Sequence, residues 1–355
     1  MNTTMEAIDI NGAAGEGGGQ VLRTSLSLSV ITGQPFRIYD IRARRKQPGL
    51  RPQHLACVRA AAQLCDADLA GDSVGSMELT FAPGALCSGN YHVDIGTAGS
   101  TTLVLQTVLP PLLFADSPSQ VRIVGGTHNP MAPSVEFLKH TFLPQLARMG
   151  AAVNLHVEGV GFYPEGGGVI VADITPVSDW KPYVMEAWHG IETIRAVATP
   201  SKLPEHIAER ELAVIQRKMG LSEEALETRY VEGLGTGNVA QIFAQGREIT
   251  EVFTAIGQKG ISAEKVATTV ARELQAYRRA EAPVGEHLAD QLLLPMAIGA
   301  GGRFRTGRPS LHATTNIAII QQFIDVDISA NPVDAYRWDL VVATNNTKGA
   351  SHEIT

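Results

Sequence analysis

Gly15-Glu16-Gly17-Gly18-Gly19-Gln20-Val21-Leu22-Arg23 is the stretch on which the reading of this chain turns. Four glycines in five positions strip every Cβ from one side of the backbone, so a polyanion can approach it closely. Glu16 and Arg23 bracket the loop. A carboxylate is misplaced against a naked phosphate and well placed for a divalent cation, whereas a guanidinium suits the phosphate itself. No Lys-Ser/Thr pair follows, and no strand–helix setting with a downstream acid accompanies the glycines, so neither common nucleotide fingerprint applies. The residues alone leave two readings open, a phosphate site and a bare turn from strand into helix. Glu165-Gly166-Gly167-Gly168 repeats the pattern, which points first to duplicated architecture.

Working outward, repetition organises the chain. A strand at Ala7–Ile10 precedes the glycine loop, the apolar segment Val21–Thr32 follows it, and Phe36–Ile41 is a second strand. Ser25–Val30 alternates like a strand, but its place between a glycine loop and Gly33 favours a helix. A helix at Arg51–Cys65 and a strand at Met77–Phe81 complete the unit. A second unit runs strand His92–Ile95, glycine turn, helix Thr101–Leu113, strand Val121–Val124, helix Ser134–Met149 bent at Pro144, and strands Val153–Val157 and Val169–Ile174. A third is predicted from helix Glu286–Ile298, strand Arg303–Thr306, helix Ala313–Phe323, and strands Val326–Ile328 and Trp338–Val342. Each approximates βαβαββ, an α+β layer with helices on one face of a mixed sheet. Between the second and third lies a segment with its own strand, Thr193–Ala198, and two amphipathic helices. These are Pro204–Met219, with Pro204 at its first turn, and Ala263–Arg279, capped by Ser262. The expected division is 1–183 with 280–355 as a large domain of βαβαββ repeats, and 184–279 as an inserted α/β domain.

The 355 residues exceed one small core; at ~100–200 residues per domain, two or three units are expected. Hydrophobic residues at 44% and charged residues at 18% describe an ordinary globular chain. No basic segment followed by an apolar core marks a secretory signal. The apolar run Leu103–Ala115 contains Gln106, Pro110 and Pro111 and is shorter than a membrane span, so no membrane partner is expected. Cys57, Cys65 and Cys87 form no C-x-x-C pair and fit reduced thiols in a cytoplasmic protein. A net charge of −7 argues against coating long nucleic acid, yet leaves room for a local basic site gripping one strand end.

Three clusters could carry chemistry. Arg42, Arg44, Arg45, Lys46 and Arg51 place five cations before and at a helix N-terminus, followed by Gln53 and His54. Glu286-His287-Leu288-Ala289-Asp290-Gln291 groups polar side chains in the first turns of a helix. Arg308-Pro309-Ser310-Leu311-His312 sets one histidine at the mouth of the last helix. Taken singly, the first reads as a solvated loop, the second as an ordinary acidic helix start, and the third as a capping histidine.

In this order and spacing, Gly15–Arg23, Arg42–His54, Gly96–Gln106, Gly125–Pro133, His287–Gln291 and Pro309–Asn316 closely resemble the RNA 3′-terminal-phosphate cyclases, over nearly the whole chain. The resemblance implies three βαβαββ repeats with a smaller inserted domain. It also implies ATP-dependent closure of an RNA 3′-phosphate to a 2′,3′-cyclic phosphate, through a histidine–AMP and an RNA–adenylate. His312 matches the adenylated histidine, and a neutral imidazole is a competent nucleophile near pH 7. By the same resemblance, Gln106, His287, Leu288, Ala289, Asp290 and Gln291 belong to the ATP pocket, with Pro130 and Phe253 packing on adenine. Arg23, Arg42, Arg45, Gln53 and His54 line the phosphate site, and Glu16 is the expected ligand for Mg²⁺ or Mn²⁺. Relatives often carry a tyrosine where this chain has His287, which stacks with less area. The expected partners are an RNA 3′-phosphate end and ATP; the oligomeric state is left open, a homodimer being one alternative. Two competing readings carry less. A non-catalytic branch of the family acts in ribosome assembly, but lacks the histidine that this chain keeps. Enolpyruvyl transferases repeat the same unit, but need more repeats than this length allows.

Overall fold

The computed structural model of the chain describes residues 6–344; the outermost parts of the large-domain range, 1–5 and 345–355, lie outside the described residues. Three repeats form three sheets of one design. The first comprises β1 (Ile8–Asn11), α1 (Gly19–Thr32), β2 (Phe36–Tyr39), α2 (Pro52–Cys65), β3 (Asp68–Ala70) and β4 (Leu79–Ala82), in sheet order β1-β2-β4-β3. The second comprises β5 (Asn90–Asp94), α3 (Thr101–Leu112), β6 (Ser119–Gly125), α4 (Val135–Phe137), α5 (Leu143–Arg148), β7 (Ala152–Gly159) and β8 (Gly168–Thr175), ordered β5-β6-β8-β7. Then β9 (Tyr183–Met185) opens the third, and the chain leaves it at once for the insert. There β10 (Thr193–Ser201), β11 (Leu226–Thr228), β12 (Gly237–Gln245) and β13 (Thr250–Ile256) make a sheet covered by α6 (Glu205–Met219) and α7 (Ala263–Ala280). On return, α8 (Glu286–Ile298), β14 (Gly302–Thr306), α9 (Leu311–Phe323), β15 (Val326–Pro332) and β16 (Trp338–Thr344) finish the repeat in the order β15-β16-β14-β9. In each repeat the first two strands pair in parallel and the remaining pairs are antiparallel.

The alternating segment Ser25–Val30 is helical and buried on every side, which is why it shows no helical periodicity. Its serines cost little there, because their hydroxyls donate to main-chain oxygens: Ser25 to Val21, Ser27 to Thr107 and Ser29 to Gln34 at 2.6–2.7 Å. Gly33 ends the helix in the left-handed conformation at φ 70°. The expected single helix at 134–149 is interrupted by a π turn at Leu138–Phe142, in which the Leu143 amide bonds to the Leu138 carbonyl. The wider turn lies just ahead of Pro144, which has no N–H to continue an α ladder. Pro204 also sits one position earlier than expected, as the residue before the first turn of α6.

The repeats share one large core, in which α1 meets α2, α3 and α9, and α8 packs on α9. The insert has a second core between its helices and one sheet face, built on Ala208, Leu212, Ile215, Val266, Val270 and Leu274. The opposite sheet face, through Val197, Phe243 and Val252, joins the large core. Both faces of the inserted sheet are therefore buried. Cys57 and Cys65 are free and buried, and Cys87 is free and exposed. Among the described residues, no helix is long and apolar enough to cross a membrane.

Candidate active site

The glycine loop turns between β1 and α1 with Gly15 and Gly17 at φ +57° and +59°, angles that side-chain-bearing residues rarely adopt. It is held down from the third repeat, since the Glu16 amide donates to Thr315 Oγ1 at 3.0 Å. The Glu16 carboxylate is nearly buried, pairs with the Arg45 guanidinium and accepts the Gln20 amide at 3.3 Å. Arg45 also donates to the Glu16 carbonyl at 2.8 Å. Among the described residues, no three His, Cys, Asp or Glu side chains gather into a metal cage. A resident, protein-caged ion does not fit this loop.

At Gly19 the predicted phosphate residues converge. A Cβ on Gly19 would lie 2.5 Å from Arg23 Nη1 and 2.6 Å from His54 Nε2, so the missing side chain is the space they share. His54 accepts the Arg51 amide on Nδ1 at 3.2 Å, which leaves its proton on Nε2. Burial, with Arg23, Arg42 and Arg51 nearby, lowers its pKa to about 3, so the ring is a neutral donor. Burial also pulls the Arg23 guanidinium below its usual range, against the anionic pull of Glu16 and Asp290. Gln53 stands at the side, its Oε1 accepting the Ser100 amide at 3.2 Å. Arg42 is tied to main-chain oxygens instead. At φ 53° it turns back on its own loop and donates to the Gln47 and Gly49 carbonyls at 2.6 and 3.2 Å.

His312 is exposed in the first turn of α9, which Ser310 caps by accepting the Ala313 amide at 3.2 Å. Its Nδ1 lies 3.1 Å from Gln20 Oε1. That oxygen can only accept, so Nδ1 carries the proton and the Nε2 lone pair is free. The Gln20 amide nitrogen donates in turn to Asp290 Oδ2 at 3.2 Å. Burial raises the Asp290 pKa to about 6, opposed by His287, the Gln20 bond and Arg23. Asn316 braces this helix pair, donating to the Asp290 carbonyl at 2.8 Å and accepting from Thr24 at 2.7 Å. Gln106 on α3 donates to Gln291 on α8.

The sequence reading missed Gln20, Thr315 and Asn316. Their signal was slight: a polar residue closing the glycine run, and a Thr-Thr-Asn cluster opening an apolar helix. Within His287–Gln291, only some side chains can meet a ligand. His287 is exposed, but Leu288 and Ala289 are 0% and 3% exposed and belong to the core. The helical period turns them inward, so they anchor α8 and leave the pocket to their neighbours. Pro130 is exposed in the loop after β6, beside Met131, which is 92% exposed. Phe253 is half-buried on the insert, its ring 5.6 Å from that of Tyr277.

A profile described as RTC, RNA 3′-terminal phosphate cyclase, matches residues 14–330. The chain is 48% identical over 322 residues to a protein of Ectopseudomonas mendocina named RNA 3′-terminal phosphate cyclase, covering 90% of this chain and 94% of that one. Proteins of the same name from Salmonella enteritidis and Salmonella gallinarum are 46% identical over 333 residues, covering 92% of this chain and 96% of theirs.

Proposed function

The chain belongs to the RNA 3′-terminal phosphate cyclase family, ligases that act on RNA 3′-phosphate ends with ATP as cosubstrate, and from that premise we infer that its reaction runs through a covalent His312–AMP and an RNA–adenylate. One observation carries the reading: the Asp290–Gln20–His312 relay, which fixes the tautomer and leaves Nε2 free.

In the first step Nε2 attacks the α-phosphorus of ATP and pyrophosphate leaves. Gln20 holds the Nδ1 proton and orients the ring, so the nucleophile meets phosphorus without first shedding a proton. In the second step an oxygen of the RNA 3′-phosphate takes the adenylyl group, the P–N bond breaks with its electron pair returning to Nε2, and His312 departs as the neutral imidazole that still carries its proton on Nδ1. In the third, the neighbouring 2′-hydroxyl displaces AMP and closes the ring. A phosphate monoester expels oxide poorly; the AMP anhydride supplies the leaving group, and the hydroxyl is already beside the phosphorus.

The phosphate end fits the space at Gly19, where Arg23 brings charge and His54 Nε2–H a neutral donor. Arg45, half-exposed at the loop, is a second cationic contact, with Gln53 at the flank. Arg42 acts by fixing the loop that carries Arg45, unless it exchanges its carbonyl partners for phosphate. Gln106, His287, Asp290 and Gln291 frame the nucleotide, with Pro130 and Phe253 as its apolar contacts. Mg²⁺ usually keeps water and takes one or two carboxylates plus phosphate oxygens, so Glu16 suits an ion that arrives with the triphosphate. We place the cytoplasm as the setting, on the three free thiols. The division into a large and an inserted domain is supported by the separate inserted sheet and core, with Tyr183–Met185 on the large side.

The test is incubation with ATP labelled at the α- or γ-phosphate, followed by denaturing electrophoresis. Only the α-label should stay on the chain, in an acid-labile, alkali-stable bond, and His312→Ala should abolish it with folding intact. Labelling that survives in the variant removes His312 from the mechanism.

A further inference from the structure

The loop between β6 and α4, residues 126–134, carries Pro130 and Met131 to the surface. Its base is a buried polar network that the reaction itself does not use. His128 is 1% exposed and stacks on Phe162, ring centroids 5.3 Å apart. Its Nδ1 meets Thr127 Oγ1 at 2.9 Å, and its Nε2 meets Glu136 Oε2 at 2.9 Å. Gln241, wholly buried on β12 of the insert, donates to the same carboxylate oxygen at 3.0 Å. It also reaches Ser134 Oγ at 3.2 Å and Thr254 Oγ1 at 3.3 Å, while Ser134 and Thr254 meet at 3.1 Å. The loop is pinned again at its tip, where Asn129 donates to the Ala98 carbonyl.

Two facts set this network apart from ordinary packing. It joins two bodies, since Glu136, Ser134 and His128 belong to the second repeat while Gln241 and Thr254 belong to the insert. It is also poorly arranged for stability alone, because Gln241 Oε1 is buried without a partner, a desolvation cost that an apolar residue would avoid. Burial would push the Glu136 carboxyl up, but His128 and Gln241 outweigh it and hold its pKa near 2. The carboxylate is therefore a fixed anion, and both partners converge on one of its oxygens.

We propose that Glu136, clamped between His128 and Gln241, is the joint through which the inserted domain holds the Pro130–Met131 loop in position for the nucleotide. These are positioning residues: none touches a reacting atom, and each acts through the loop. The proposal rests on the reading of Pro130 as a nucleotide contact, and it gives the insert a role in ATP binding. Loosening the joint should weaken the ground-state hold on ATP and spare the chemical step, because the His312 relay lies on other elements.

The experiment measures self-adenylation over a range of ATP in Gln241→Ala, Glu136→Gln, His128→Ala, His128→Gln and Pro130→Ala, with thermal unfolding of each. The expected result is a several-fold rise in KM for ATP in the first three and in Pro130→Ala, with the saturating rate within about twofold of wild type. His128→Gln, which keeps an N–H donor, should recover part of what His128→Ala loses. Gln241→Ala alters only the insert side, so the proposal stands even where a buried His128 or Glu136 variant folds poorly. Unchanged KM in Gln241→Ala and Glu136→Gln, with a raised KM in Pro130→Ala, would overturn the joint and leave the loop reading intact. Unchanged KM in Pro130→Ala would overturn the loop reading, and the proposal with it.

Discussion

Asp290→Asn should yield a more stable protein and a poorer enzyme, with the stability effect confined to one side of a pH window. Burial raises the Asp290 pKa from 3.8 to about 6. A carboxyl held above its unfolded value binds more protons when folded, so its contribution is best below 3.8 and declines as the pH rises to about 6. At 1.36 kcal/mol for each tenfold change in proton affinity, the ionised group costs the fold about 3 kcal/mol above that pH. Asparagine keeps an oxygen for the Gln20 amide and cannot ionise. It also withdraws an anion from Arg23, which retains Glu16, so a net gain of about 1–2 kcal/mol at pH 8 is expected. Below pH 4 the two proteins should be nearly equal. The assay is urea unfolding of both across pH 4–8, taking the difference at each pH so that titrating groups remote from Asp290 cancel. Self-adenylation should fall about five- to tenfold, because a charge-assisted hold on Gln20 becomes a neutral one worth ~1 kcal/mol less. A stability difference that does not change with pH, or a variant with full self-adenylation, would refute the argument.

Gln20→Ala removes the acceptor that fixes the His312 tautomer, and should slow self-adenylation about 10- to 100-fold with little change in KM for ATP, read in single-turnover labelling. Gly19→Ala drives a methyl into Arg23 and His54, so AMP transfer to RNA should fail more severely than labelling of the enzyme; equal losses in both would detach that space from the RNA phosphate. Binding of short RNAs should depend on the terminus rather than the length: a log–log salt slope of roughly 2–4 at about 0.7–0.9 per neutralised phosphate, and a strong loss when the 3′-phosphate becomes a hydroxyl. Equal affinity for both ends, in a titration over a salt range, would place the binding surface elsewhere.

What the sequence disclosed follows from distance along the chain. The glycine loop, the helix start at Ser134, the cap at Ser262 and the stop at Gly33 are local features, and each stands where expected. His312 was legible as part of a motif, but its partner Gln20 lies 292 residues away, and Gln20 in turn reaches Asp290 across 270. Only the stacking of α1 against α9, and of α8 on α9, brings those groups together. Motif reading also weighted Leu288 and Ala289 like Asp290, because a run of letters does not say which face of a helix it occupies. Arg42 looked like a free cation, since nothing local announces that its guanidinium closes its own loop. Of the strands not foreseen, Gly237–Gln245, which pairs with the neighbouring Thr250–Ile256, is buried on both faces and shows no alternation. Asp68–Ala70 is short, and Tyr183–Met185 lies far from its partner.

That last separation has a kinetic side. In the register of the third sheet Tyr183 pairs with Gly302, and the whole insert intervenes between these neighbours. The sheets of the first two repeats use strands that all precede Tyr183, so they can close while β9 is still without a mate during synthesis on the ribosome. An unstructured loop of that span adds little equilibrium penalty, since each doubling costs only about 0.6 kcal/mol, but long-range parallel pairing is slow. An insert that folds first would shorten the search by bringing its ends, and with them β9 and α8, toward one another. On this view the insert serves the nascent chain as a splint before it serves the finished enzyme.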